Sequence, residues 1–171
     1  MNNRQPDQWN ELVRKAVYEK DSDAFTEVME SCRQDMLKVA MSYSLSDADC
    51  ADVLQETIIA CWEHLDQVRQ PAYFKTWMIR ILINKAKDQL RRSERYVYTD
   101  QIPESGREDL SDMEFRELLG LLDEKYRTVI ILYYAEGFNT REIAEILGIS
   151  VPAVKIRLRR ARQQFRREYE R

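Results

Sequence analysis

The sequence predicts an all-α protein: two small helical domains joined by an acidic, flexible linker. Three observations carry that expectation. Apolar residues recur at spacings of three and four along most of the chain, no segment alternates with period two long enough to suggest a strand, and composition changes sharply at Tyr96–Leu110. With 171 residues, 44% of them hydrophobic, the chain can hold one sizeable domain or two small ones with real cores.

Taken in order, a first short helix at Asp7–Glu19 carries Trp9, Leu12, Val13, Ala16 and Val17. Asp21 or Ser22 caps a second, about Asp23–Ser44, with Phe25, Val28, Met29, Cys32, Met36, Val39, Ala40 and Tyr43 at helical spacing. Ser46 or Asp47 caps a third, Ala48–His64, whose expected apolar stripe is Ala51, Leu54, Ile58, Cys61, Trp62 and Leu65. Pro71 opens a fourth, running to about Arg95 through Phe74, Trp77, Met78, Ile81, Leu82 and Leu90. Tyr96–Leu110 then has Pro103, Gly106 and the carboxylates Asp100, Glu104, Glu108 and Asp109, the composition of a tether. Helices at Ser111–Leu122 and Glu124–Glu136 follow, the latter with Tyr126, Val129, Ile130 and Tyr133 on one face. The expected domains are therefore residues 1–95 and 111–171, with 96–110 between them.

Asn139–Arg167 has the form of a helix-turn-helix. Asn139 and Glu142 make a capping box, with Phe138 and Ile143 as a hydrophobic staple. Gly148 supplies the positive φ that ends the first helix, and Ser150 caps the second, with Pro152 in its first turn. Val151, Val154, Leu158, Ala161 and Phe165 form the docking stripe of that second helix, and Lys155, Arg157, Arg159, Arg160, Arg162, Arg166 and Arg167 fill the rest of its surface. A basic amphipathic helix alone suits a solvated face, a membrane surface or DNA; the capped helix and tight turn before it favour DNA.

The formal net charge is −3 and the pI about 5.4, so phosphate affinity here depends on local basic surface rather than overall charge. The N-terminus lacks a signal-peptide core and no run is long enough to span a bilayer, which leads to the expectation of a cytoplasmic protein. Three cysteines, Cys32, Cys50 and Cys61, lie in apolar helical patterns as core residues would; Cys61 with His64 is the only hint of zinc, and no CxxC pair accompanies it. Walker-type, GxGxxG and HExxH motifs are missing, so no enzyme, metal or cofactor is expected.

Chemistry also shows on the fourth helix, where Arg80, Lys85, Lys87, Arg91, Arg92 and Arg95 crowd together near Tyr73, Phe74 and Trp77. Cations that hold phosphates and rings that stack on bases suit an unpaired strand, although Phe74 and Trp77 share a stripe with Ile81 and fit core better. Asn84, on the polar side, offers both donor and acceptor to a base edge.

Across about Ala24–Arg167 the chain resembles a bacterial RNA polymerase sigma factor of the sigma-70 family, in its extracytoplasmic-function group. Asp47–Ile58, DADCADVLQETI, resembles the polymerase-clamp-binding helix, which implies core-polymerase contacts by Asp49, Asp52, Gln55 and Glu56. Phe74–Arg92 is similar to the segment that melts and reads the −10 element. That similarity implies −10 roles for Tyr73, Lys75, Arg80, Asn84, Lys85, Lys87, Arg91 and Arg92, with Gln67, Arg69 and Gln70 in the loop that holds a flipped base. Leu122–Arg162 resembles the −35-binding domain and implies contacts by Thr140, Pro152, Ala153, Lys155, Ile156, Arg157, Arg159 and Arg160.

The implied partners are core RNA polymerase, promoter DNA and an anti-sigma factor, with no small-molecule substrate. The acidic linker fits the family's transcript exit path and equally fits a plain spacer. Ile156 and Pro152 depart from the family, which commonly has Ser or Thr and a small residue there, so the −35 sequence read is its own. The rival reading is a stand-alone helix-turn-helix regulator that binds a palindrome without polymerase.

Overall fold

Local signals set the helix boundaries. The computed structural model describes residues 6–96 and 120–169. Helix α1, Pro6–Arg14, runs into a π turn at Lys15–Glu19 and stops at Lys20, whose φ of 50° is left-handed. Asp21 then caps α2, Ser22–Met41, its carboxylate accepting from the backbone N–H groups of Asp23 and Ala24 at 2.9 and 3.0 Å. Ser46 likewise caps α3, Asp47–Glu63, accepting from Asp49 N–H at 3.1 Å. Two single 3₁₀ turns, Leu65–Gln67 and Pro71–Tyr73, lead into α4, Phe74–Tyr96. The rear unit holds α5, Glu124–Ile130, continued by a π turn at Ile131–Ala135, then α6, Thr140–Leu147, and α7, Val151–Tyr169. No strand occurs among the described residues.

The front core lies between α2, α3 and α4, with α1 laid against α2. Val28, Met36, Val39, Phe74, Met78, Leu82 and Ile83 are fully buried there. Each large side chain so enclosed stabilises the fold by about 1.5–3 kcal/mol. In the rear unit α7 packs on both α5 and α6, enclosing Val129, Leu132, Ile143, Val154 and Ala161.

Several sequence expectations change in detail. The buried face of α3 is Cys50, Val53, Leu54, Thr57 and Cys61, whereas Ala51 is exposed and Trp62 is 40% exposed. Thr57 caused the shift: its hydroxyl donates to the Val53 carbonyl at 2.7 Å, so a polar residue satisfies itself inside the core. Helix α2 ends at Met41, and Tyr43 is buried from a turn, followed by Ser44 at φ 55°. Pro71 opens a 3₁₀ turn and α4 begins at Phe74. Ile79, Ile83 and Ala86 join the α4 core face, because it packs on both α2 and α3 and so buries a wider arc. The acidic tether after Tyr96, and the expected helix at Ser111–Leu122 up to residue 119, lie outside the described residues.

The two units touch. Helix α6 lies against α4. Lys75 on α4 pairs with Asp35 of α2 at 2.8 Å and with Glu136 of the rear unit at 3.3 Å, its ammonium 5.5 Å from the Phe138 ring centre. Arg127 on α5 donates to the Ser42 carbonyl at 3.2 Å and to the Ser44 hydroxyl.

Candidate nucleic-acid interface

Helix α4 buries one side and leaves the other polar. Phe74, Met78, Leu82 and Ala86 face inward, and Arg80, Asn84, Asp88 and Arg91 are exposed in one stripe at helical spacing, Arg91 pairing with Asp88 at 3.2 Å and Arg92 beside them. Lys85 and Lys87 are half-buried at its edges. Phase along the helix is set by the apolar face, so Asn84 stands outward because its neighbours Leu82, Ile83 and Ala86 are drawn in. Phe74 is fully buried and Trp77 packs partly buried against it, ring centres 5.7 Å apart, so both serve the core.

Ahead of α4, Gln67, Arg69, Gln70 and Tyr73 are all exposed on the 3₁₀ segment, which Leu65 and Val68 anchor in the core. Lys75 stands apart from this surface. Its two carboxylate partners raise its pKa against the downward pull of burial, holding it charged between the domains.

The acidic residues of α3 divide. Asp49 accepts from Ser46 Oγ at 2.7 Å and from Gln89 of α4. Glu56 pairs with Lys85 and Arg92, each at 3.4 Å. Asp52 and Gln55 face outward; Gln55 also lines, with Phe25, Met29, Leu54 and Ile58, a groove of about 300 Å³ between α2 and α3. Partly exposed pairs such as Glu56–Arg92 are worth about 0–1 kcal/mol and separate readily for another partner.

In the rear unit the capping box forms. Asn139 Oδ1 accepts from Arg141 and Glu142 N–H, and Glu142 returns a bond to Asn139 N–H at 2.8 Å. Phe138 and Ile143 are buried as the staple, and Gly148 ends α6 at φ 64°. Ser150 accepts from Ala153 N–H at 3.3 Å, starting α7. Val154, Leu158 and Ala161 are buried, so the opposite face presents Pro152, Ile156, Arg159 and Arg160 to solvent, Ile156 at 43% exposure. Lys155 is exposed alongside; Thr140 and Ala153 are half-buried. Arg157 is half-buried too, and its charge is felt by the Tyr43 hydroxyl of the front unit.

Two arginines are held from α5 and its π turn: Arg162 Nε donates to Tyr134 OH at 2.8 Å and stacks over that ring, and Arg160 reaches Tyr126 OH at 3.5 Å. Sequence reasoning missed Gln163, which is exposed on the outward face with Ile156; seven-residue spacing was the available signal.

The cysteines are core. Burial pushes the Cys61 thiol up to about 12 and that of Cys32 to about 11, so both stay protonated near neutrality. Cys61 is enclosed whereas His64 is exposed, and no group of three metal-ligating residues occurs among the described residues.

Both units are similar to known proteins. The chain matches the family models for sigma-70 region 2 over residues 28–96 and sigma-70, region 4 over residues 112–165. It is 36% identical over 139 residues to the RNA polymerase sigma factor SigV of Bacillus subtilis (strain 168), covering 78% of this chain and 84% of that one. The RNA polymerase sigma factor NccH of Alcaligenes xylosoxydans xylosoxydans is 29% identical, over 90% of each chain. Among solved structures, CnrH in complex with the cytosolic domain of CnrY superposes with a TM-score of 0.72 at 29% identity, covering 95% of this chain and 97% of that one. The sigma factor RpoE of Bartonella quintana, in complex with the anti-sigma factor NepR, gives 0.72 at 26% identity, covering 85% and 96%.

Proposed function

The chain belongs to the sigma-70 family of RNA polymerase sigma factors, in its extracytoplasmic-function group, and from that premise we infer which of its surfaces meets which partner. As a sigma factor it binds core polymerase, recognises promoters and directs transcription initiation. The homologues favour this over a stand-alone regulator.

In our reading residues 1–95 grip polymerase and the opened −10 strand, 96–110 link, and 111–171 dock on the −35 duplex. The observation that supports it best is the polar stripe Arg80, Asn84 and Arg91 on a helix whose other face is core. Phosphate-binding cations there flank an amide able to read a base, beside the exposed Gln67, Arg69, Gln70 and Tyr73. Lys85, Lys87 and Arg92 add charge at its margin; Lys75 would join only once the two units part. Asp52 and Gln55 offer the polymerase clamp an outward surface, and Asp49 and Glu56 extend it when released from α4. On α7, Lys155, Arg159 and Arg160 meet phosphates, and Ile156 and Pro152 give apolar contact, a thymine methyl being the natural partner. Thr140 and Ala153 sit at the helix starts, and the half-buried Arg157 adds charge beside them.

The mechanism is binding energy spent on strand opening, with no covalent step and no cofactor. Joining two modest contacts through a linker makes the second intramolecular. Since two similar structures hold CnrY and NepR, an anti-sigma factor is a partner we propose for this chain, acting in the cytoplasm where the polymerase is.

The test is the purified chain with core polymerase on a promoter library. We expect specific transcripts that core alone does not make. No transcript above core alone, with tight polymerase-free binding to a palindrome, would reject the reading.

A further inference from the structure

Tyr18 precedes the segment that the region 2 family model covers, residues 28–96. It is 56% exposed, so it contributes little to the core. Its hydroxyl nevertheless donates to the backbone carbonyl of Arg69, 51 residues away, at 2.9 Å. Local geometry explains how it gets there. Beyond Arg14 the helix widens into the π turn Lys15–Glu19, which buries Ala16 and Val17, ends at the left-handed Lys20 and packs on the 3₁₀ turn Leu65–Gln67. A π turn inserts a residue and re-aims the side chains after it, which is why such turns recur at functional sites.

The segment it reaches is otherwise held at its ends. Gln67 N–H bonds the His64 carbonyl at 3.0 Å, Val68 N–H that of Leu65 at 3.1 Å, and Tyr73 N–H that of Gln70 at 3.0 Å. Val68 is buried, whereas Gln67, Arg69 and Gln70 are exposed. Fixing the Arg69 carbonyl between those ends restricts the peptide plane that joins Arg69 to Gln70 and so the directions in which those two side chains project.

We propose that Tyr18 is a positioning residue for the base-holding loop: its hydroxyl, bonded to the Arg69 carbonyl, presets Arg69 and Gln70 to receive an unstacked base. This role rests on the assignment of that loop to the −10 strand. Flipping a base already carries an unstacking cost, and a loop that also had to be ordered on binding would add to it. A first helix outside the matched segment would thus tune promoter opening.

The experiment uses the full chain with core polymerase and a single-stranded −10 oligonucleotide carrying a fluorescent base analogue at the flipped position. Tyr18→Phe keeps the ring and removes only the donor. It should weaken strand binding about three- to tenfold and blunt discrimination at that base. Core-polymerase affinity, −35 duplex binding and the thermal midpoint should not move. In a Gln70→Ala background the effect of Tyr18→Phe should shrink, because the group being positioned is gone. Gln70→Ala effective while Tyr18→Phe binds like the native chain overturns the role of Tyr18 alone. Gln70→Ala without effect overturns the loop assignment and this role with it. A fall in thermal midpoint that lowers all three affinities together would make Tyr18 a structural residue and refute the proposal.

Discussion

Asn84 and Glu136 show how one side chain's surroundings decide its work. Asn84 is exposed within a basic stripe, so Asn84→Ala should leave polymerase affinity unchanged while altering the ranking of promoters that differ in the −10 element, measured by competitive transcription; uniform losses across promoters would contradict base reading. Glu136 has the opposite setting. Its side chain is enclosed, Oε2 pairs with Lys75 and Oε1 has no partner, and burial raises its pKa above the usual carboxylate value. Asp35 pushes the same way, and Lys75 and Lys38 oppose. A raised carboxylate pKa favours the packed state at low pH, and that advantage is lost as pH rises through the raised value. The stability of the native chain relative to Glu136→Gln should therefore fall as pH rises above the ordinary carboxylate range, followed by denaturant unfolding at each pH. A flat difference would mean that Glu136 is not held as described.

At the scale of elements, the α6–turn–α7 unit depends on local chemistry that can be removed piece by piece. Asn139→Ala deletes the cap that accepts two N–H groups and should cost about 1 kcal/mol, seen as a lower thermal midpoint. Gly148→Ala meets no steric neighbour, since an added Cβ finds nothing within 4 Å; φ of 64° alone penalises it, by about 1 kcal/mol. Lys155→Ala, on the exposed flank of α7, should reduce duplex affinity and the slope of log affinity against log salt by about 0.9, leaving sequence preference intact. An unchanged slope would remove Lys155 from the phosphate contacts. Ile156 gives the complementary result. Substituting it should alter preference at one base pair with the slope preserved.

The whole molecule brings the units together, with α6 against α4 and Lys75 bridging Asp35 and Glu136. Promoter elements named −10 and −35 lie about 25 base pairs apart, about 85 Å at 3.4 Å per pair. The chain between Tyr96 and Gly120 can span at most about 85 Å when extended, so on the proposed assignment of the two units to the two elements, binding both is expected to part α6 from α4. Lys75→Ala should raise the separated fraction of the free chain, measured as a longer distance between labels on α3 and α7; an unchanged distance would show that the apolar contact of α6 with α4 suffices.

Much of this was legible beforehand because it is local. Periodicity, caps and Gly148 depend on residues within one or two turns, so the helix order, the capping box and the buried stripe of α7 followed from the chain alone. The α3 stripe did not, because Thr57 satisfies its hydroxyl against its own helix and can be buried like an apolar residue. Nor did the widened core face of α4, which is decided by two neighbouring helices rather than one. Spacing and caps along the chain were enough for the seven described helices and for the family resemblance. Packing of the folded chain was needed to bring Lys75 between Asp35 and Glu136, to pair Glu56 with α4 and to set Tyr18 on the Arg69 carbonyl. Those are contacts between residues tens of positions apart, and no spacing along a chain encodes which distant backbone a side chain will meet.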